Sequence, residues 1–305
     1  MAELRGARVA LLGGRGMVGR ALVESLARHG AEVHVYSRPE VDLARPSTLA
    51  RIFERARPDW VVNGAAYTAV DRAEEEEALA TRVNGEAVGL LARACAERGA
   101  KLVHYSTDYV FDGSARAPIP VDAAIAPINA YGRSKAAGEI AVREALPGAH
   151  LLIRTSWVYA PWGTNFVRTI AELAATRDVL RVVDDQRGRP TSAEELAERT
   201  CALMGRDARG TLHVTDEGEC TWYELASAVV ELTGSRCRVE PCTTDEFPRP
   251  ARRPAYGVLD LSKTHALVGH GRPWREAVAR VLEKMVEAPR VELGSENAPD
   301  SLLRA

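Results

Sequence analysis

Tyr131 and Lys135 lie four residues apart in Tyr131-Gly132-Arg133-Ser134-Lys135, a spacing that sets a phenol and an ammonium one helical turn apart on one face. A tyrosine ordinarily loses its proton near pH ~10, so acid or base work near neutrality asks for a neighbouring positive charge. Lys135 would supply that charge and Tyr131 the proton. The spacing alone recurs by chance in many helices, so its weight depends on what surrounds it. Thr107 follows the apolar run Lys101 to Ser106, at the strand edge where ligands of parallel sheets bind. Its hydroxyl would donate to a carbonyl oxygen on which charge builds. His104, inside the same run, reads as a sheet histidine with no chemical role.

A second group lies near the amino terminus. Gly13-Gly14-Arg15-Gly16-Met17-Val18-Gly19 follows the apolar run Arg8 to Leu12 and opens a helical segment. Glycines let the backbone turn tightly and approach a pyrophosphate with no Cβ between, while the helix start offers free N–H groups and partial positive charge. The loop reads as G-x-G-x-x-G from Gly14, or as G-x-x-G-x-x-G from Gly13, Gly16 and Gly19. Gly13, Arg15, Gly16, Met17 and Val18 are therefore expected against a dinucleotide. Where an acidic side chain would bond the ribose 2′-hydroxyl of NAD, the second strand ends in Ser37-Arg38. Arg38, with Arg15, suits a 2′-phosphate, so NADPH is favoured and NADH stays open.

The elements that must hold these groups alternate. Strands are expected over Arg8 to Leu12, Glu32 to Tyr36, Asp59 to Asn63, Lys101 to Ser106 and His150 to Arg154. Helices are expected over Met17 to His29, Ser47 to Arg57, Glu74 to Arg98 and Tyr131 to Ala145. This is an α/β pattern of the Rossmann type, a doubly wound parallel sheet, with a smaller carboxyl-terminal substrate-binding lobe. Residues 1–155 read as the dinucleotide-binding domain, to which some later segments return, and 156–288 as mainly the substrate lobe. A last helix is expected over Arg275 to Val286, and 289–305 as a disordered tail. Glu74 to Glu77 read as solvated charges at a helix start rather than as a metal site.

The chain has 305 residues, 46% of them hydrophobic, with net charge −2 and both signs interspersed. Mixed charge offers no basic face, so nucleic acid is not expected as a partner. No run approaches the ~20 apolar residues of a membrane span. Five scattered cysteines form no Cys-x-x-Cys pair and fit free thiols of a reducing cytoplasm.

Several longer segments resemble the dTDP-4-dehydrorhamnose reductase family of extended short-chain dehydrogenases. They are Arg57 to Asp71 (RPDWVVNGAAYTAVD), His104 to Phe111 (HYSTDYVF), Arg154 to Ala160 (RTSWVYA), Pro190-Thr191 and Pro250-Ala251-Arg252-Arg253-Pro254. The resemblance runs from the glycine loop to about Pro254. It implies that Asp42, Leu43, Ala65, Ala66 and Tyr67 line the adenosine and nicotinamide-ribose side, and that Thr107, Asp108 and Trp157 meet a dTDP-linked keto-deoxysugar. Tyr131 would then be the proton donor and Lys135 would hold the cofactor ribose. Trp157 suits packing on a sugar or base face. Asn165 is a candidate for a nucleotide contact, with helix capping as its other reading.

Departures from the family pattern matter too. Enterobacterial members carry an acidic residue where Ala21 stands, associated with a magnesium-bridged dimer, so no metal is expected and a homodimer stays open. Arg187 replaces an aromatic common after Asp185-Gln186, which would alter sugar specificity. The same fold also serves as the regulatory subunit of methionine adenosyltransferase, with the Tyr-x-x-x-Lys pair kept, and as epimerases holding NAD tightly. Dehydratases of the group follow the strand-end Thr with Asp-Glu, whereas Thr107 is followed by Asp108-Tyr109.

Overall fold

The computed structural model describes residues 4–287, so the tail expected at 289–305 lies outside the described residues. Six strands form one parallel sheet: β1 (Arg8–Leu12), β2 (Glu32–Tyr36), β3 (Trp60–Asn63), β4 (Lys101–Thr107), β5 (His150–Thr155) and β6 (Gly210–His213). Their order is β6-β5-β4-β3-β1-β2, all parallel. Winding reverses between β1 and β3, and the crevice at that switch point is where such sheets take ligands.

Successive side chains of a strand point to opposite faces, and both faces here are covered. Val9 and Leu11 of β1 pack with Leu22 and Leu26 of α1 (Met17–Arg28) and with Leu196 and Cys201 of α7 (Ala193–Gly205). Ala10 and Leu12 pack with Ile52 of α2 (Ala50–Ala56), Leu91 of α4 (Ala87–Arg98) and Val142 of α5 (Ala130–Ala145). That double cover explains the unbroken apolar runs of the central strands. A third core joins α6 (Phe166–Ala174), α8 (Trp222–Thr233) and α10 (Trp274–Glu287) beside the paired short strands Val179–Val183 and Arg238–Cys242. Beyond residue 155 the chain thus gives β6 and α7 to the sheet and three helices to this separate core. A short α9 (Ser262–Val268) precedes α10. No helix among the described residues is long and apolar enough to cross a membrane.

Two helices differ from expectation. The one expected from Ser47 starts at Ala50, after a single 3-10 turn over Pro46–Thr48. The one expected over Glu74 to Arg98 is broken into a 3-10 turn (Arg72–Glu74), α3 (Glu77–Thr81), a π-turn (Arg82–Glu86) and α4. The π-turn has its cause in other segments. Buried Asn84 spends its amide outside the helix, accepting from Tyr67 N at 2.8 Å and donating to Tyr67 O and Ser134 Oγ, each at 2.9 Å. Such turns concentrate at functional sites, and this one ties the segment after β3 to α5.

Candidate active site

A cleft of about 1150 Å³ runs along the carboxyl ends of the strands, from the glycine loop to the third core. Gly13 adopts φ +77°, and a Cβ there would stand 2.8 Å from Ala65 N. At Gly19 a Cβ would collide with the Gly13 carbonyl and come within 2.7 Å of Gly14 Cα. Glycine at these positions therefore lets α1 begin directly against the loop. No side chain caps α1 and its first turn holds no acidic residue, so its N–H groups suit an anion. Gly13, Arg15, Gly16, Met17 and Val18 line the cleft with Ser37, Arg38, Asp42, Leu43, Ala65, Ala66 and Tyr67. The donor set fits a dinucleotide phosphate. Arg38 is exposed at the rim and makes no ion pair among the described residues.

Helix α5 brings Tyr131 and Lys135 into the same cleft as Thr107 and Asp108. Asn129 starts the helix, its Oδ1 accepting from Gly132 N at 2.7 Å and its Nδ2 donating to Arg252 O at 2.8 Å. The Glu74 to Glu77 run is not merely solvated, a correction to the sequence reading. Glu74 accepts from Ala130 N at 2.8 Å, Glu76 from Tyr67 Oη at 2.6 Å, and Glu77 from Arg133 at 2.7 and 2.8 Å. Three of the four glutamates therefore clamp the start of α5 and the Tyr67 segment beside it. Deeper in the protein, fully buried Glu139 of α5 clasps Arg154 of β5 through two bonds of 2.8 Å.

Burial raises the Tyr131 phenol above its ordinary range, and Asp108 and Tyr109 add to this while a hydrogen bond with Thr107 opposes it. A phenol so placed keeps its proton and suits an acid that protonates a strongly basic oxygen. Burial draws Lys135 down to about 8, with Glu139 opposing. Its Nζ donates to Tyr105 O at 2.6 Å and faces His104 Nε2 at 3.5 Å. Thr107 Oγ1 donates to Asp108 Oδ1 at 3.0 Å, and burial pushes the Asp108 carboxyl up to about 7.

The far wall is aromatic. Trp157 has φ +47°, costly for a residue with a Cβ and a mark of functional sites. Its ring stacks on Trp222, centroids 3.7 Å apart, so one face expected for the ligand is already covered. A Cβ at Gly188 would lie 2.7 Å from the same indole. Phe166, Trp222 and Leu225 complete this wall.

Asn165 is not in the cleft wall. It is buried as the N-cap of α6, accepting from Arg168 N at 3.2 Å and donating to Ala160 O at 2.9 Å, which leaves no amide group for a ligand. Arg187 also lies elsewhere, half-exposed between Glu219 and Glu224. Arg253 does line the cleft, although sequence reasoning assigned it no part. With Arg249 it is bound by Asp71, 182 positions away, whose carboxyl is pushed up by burial but brought down to about 2 by Arg253 and the backbone of Ala251. No local signal marks such a pairing. Among the described residues, Glu217, His265 and His270 could face a cation together. Glu217 Oε1 is taken by His265 at 2.6 Å and Gly271 N at 2.9 Å, which accounts for the cluster as a clamp on the segment before α10.

Residues 7–287 match the family described as the RmlD substrate binding domain. The dTDP-4-dehydrorhamnose reductase of Burkholderia thailandensis is 44% identical, with 89% of this chain and 96% of the relative covered. The dTDP-4-keto-6-deoxy-D-glucose reductase of Streptomyces niveus is 41% identical, with 87% and 89% covered. The crystal structure of the Bacillus anthracis dTDP-4-dehydrorhamnose reductase in complex with NADP superposes with a TM-score of 0.87 at 34% identity, covering 92% of this chain and 99% of that one. With its glycine cradle, its Tyr131–Lys135 helix and this likeness along almost its whole described length, the chain belongs to the RmlD family of dTDP-4-dehydrorhamnose reductases.

Proposed function

We propose that the chain reduces the C4 keto group of a dTDP-4-keto-6-deoxyhexose with NADPH, Tyr131 donating the proton. The observation that carries this reading is the sharing of one cleft by the glycine cradle, the Tyr131–Lys135 pair and Thr107. When bound, reduced nicotinamide supplies a hydride to the carbonyl carbon. Gly13, Gly16 and the start of α1 hold the pyrophosphate, and Arg38 with Arg15 the 2′-phosphate. Asp42, Leu43, Ala65, Ala66 and Tyr67 flank the adenosine and ribose, with Lys135 on the ribose hydroxyls. On binding, Thr107 turns its hydroxyl from Asp108 Oδ1 to the carbonyl oxygen, where negative charge grows in the transition state. Tyr131, kept protonated by its surroundings, passes its proton to the developing alkoxide. Asp108 and the Trp157–Trp222 wall orient the sugar nucleotide.

The lobe formed by α6, α8 and α10 is the substrate-binding part in this reading. The five cysteines are buried and unpaired, which suits the reducing cytoplasm we assign to the protein. A homodimer is the assembly we expect, without a bridging metal.

The test mixes the purified protein with NADPH and a panel of dTDP-4-keto-6-deoxyhexoses and follows the reduced-nicotinamide absorbance. Stoichiometric oxidation with one of them is expected. Dinucleotide binding without oxidation would favour a regulatory module, and tightly held, non-exchanging NAD an epimerase. Either result would overturn the proposal.

A further inference from the structure

Asn63 and His104 face each other across β3 and β4, and each is 1% exposed. Asn63 Oδ1 accepts from Ala65 N at 3.1 Å, so it is the amide nitrogen that stands 3.1 Å from His104 Nδ1. The reversed amide would set two donors against each other at Ala65. His104 Nδ1 is thus an acceptor without a proton. Burial first, then the charge of Lys135, holds the imidazole well below its ordinary range, so the ring is neutral and its one proton is on Nε2. That Nε2 lies 3.5 Å from Lys135 Nζ, the outer limit of a hydrogen bond, and such contacts tighten when an active site fills. Gly138 lets α5 close on the Asn84 carbonyl, which a Cβ would strike, and a Cβ there would stand 3.6 Å from His104 Nε2.

An N–H can donate only to a lone pair. A lysine amine has one and an ammonium has none. We propose that His104, locked by Asn63 as the Nε2–H tautomer, is a positioning residue that aims a hydrogen bond at the Lys135 nitrogen and favours its amine form. The Lys135 ammonium gives up a proton to water as the pH rises through its midpoint. This leaves an amine whose lone pair accepts from His104 Nε2–H, until water returns a proton to Lys135. The other charged groups around the pair are Glu139 on the same helix, which opposes loss of the Lys135 proton, and Asp108 after β4, which acts on Tyr131. Arg154 of β5 is neutralised by Glu139.

The consequence for turnover rests on the reductase reading, whereas the hydrogen-bond geometry does not. The test follows the ε-carbon of Lys135 by NMR in the lysine-labelled, NADPH-loaded protein, for wild type, His104→Leu and His104→Gln. Leu keeps the site apolar but donates nothing, so the Lys135 midpoint is expected to rise by about one pH unit, with the alkaline limb of kcat moving alongside and KM for NADPH unchanged. Gln can accept from Asn63 and donate to Lys135, so it should titrate near wild type. A His104→Leu protein that loses kcat with an unmoved midpoint would show a purely structural role and overturn the proposal. Nitrogen NMR of the wild-type imidazole tests the tautomer without any variant, and a proton on Nδ1 would also overturn it. A wild type that reduces no keto-sugar would sink the reductase reading alone, with the Lys135 midpoints still deciding this one.

Discussion

Glu139→Gln is expected to destabilise the protein by about 3–5 kcal/mol, the cost of leaving a buried guanidinium without its counter-charge. The carboxylate is 0% exposed and Arg154 1%. Their two bonds of 2.8 Å are the bidentate fork that suits arginine, and Arg143 adds a third contact at 2.7 Å. Gln keeps the size but only one oxygen, and it turns an NH2 toward the guanidinium. Arg154→Met should cost less, because Arg143 still pairs with the carboxylate. The double variant Glu139→Met/Arg154→Met should cost less than the sum of its single changes, since no lone charge remains. Urea unfolding at neutral pH with matched slopes measures all of these. Acid adds a signed check. Burial pushes the Glu139 carboxyl up, but Arg154 carries it below its ordinary range. A depressed carboxyl contributes stability above its unfolded pKa and loses it as the pH falls through the folded one, so the gap between wild type and Glu139→Gln should close below pH ~4. Strictly additive single and double costs, or a gap that ignores acid, would refute the reasoning.

Other outcomes follow from the same geometry. Gly19→Ala should abolish dinucleotide binding in fluorescence titration, because its Cβ collides with the Gly13 carbonyl; near-wild-type affinity would refute the cradle. Arg38→Ala should raise KM for NADPH about tenfold or more while leaving NADH unchanged, as expected when a charge-assisted phosphate contact is lost; equal effects on both would refute that role. Asp108→Asn should raise the melting temperature of the ligand-free protein at pH 8 but hardly near pH 4. Its carboxyl is raised to about 7 by burial, so the penalty of holding it in the fold is absent below the unfolded pKa and grows as pH rises. A pH-independent difference would contradict this.

The sheet was legible in the sequence because its central strands are buried on both faces and read as unbroken apolar runs between glycine and proline stops. The cleft-lining residues near the glycine loop and Tyr131 were legible because each lies in a short segment with its own spacing. What stayed hidden depends on distant partners. Asp71 and Arg253 meet only through the fold, as do Trp157 and Trp222. The π-turn at Asn84 was invisible because its cause, the backbone of Tyr67 and the hydroxyl of Ser134, belongs to other segments. Asn165 took the second of the two readings that the sequence offered. A polar residue in a segment that resembles a binding site was spent on a helix cap.

The most direct measurement compares Tyr131→Phe with wild type for NADPH binding and for turnover of the keto-sugar that wild type reduces. The change removes one hydroxyl and leaves the glycine cradle untouched, so cofactor affinity should hold while kcat falls by roughly two to four orders of magnitude. Wild-type turnover in that variant would contradict the assignment of Tyr131 as the acid.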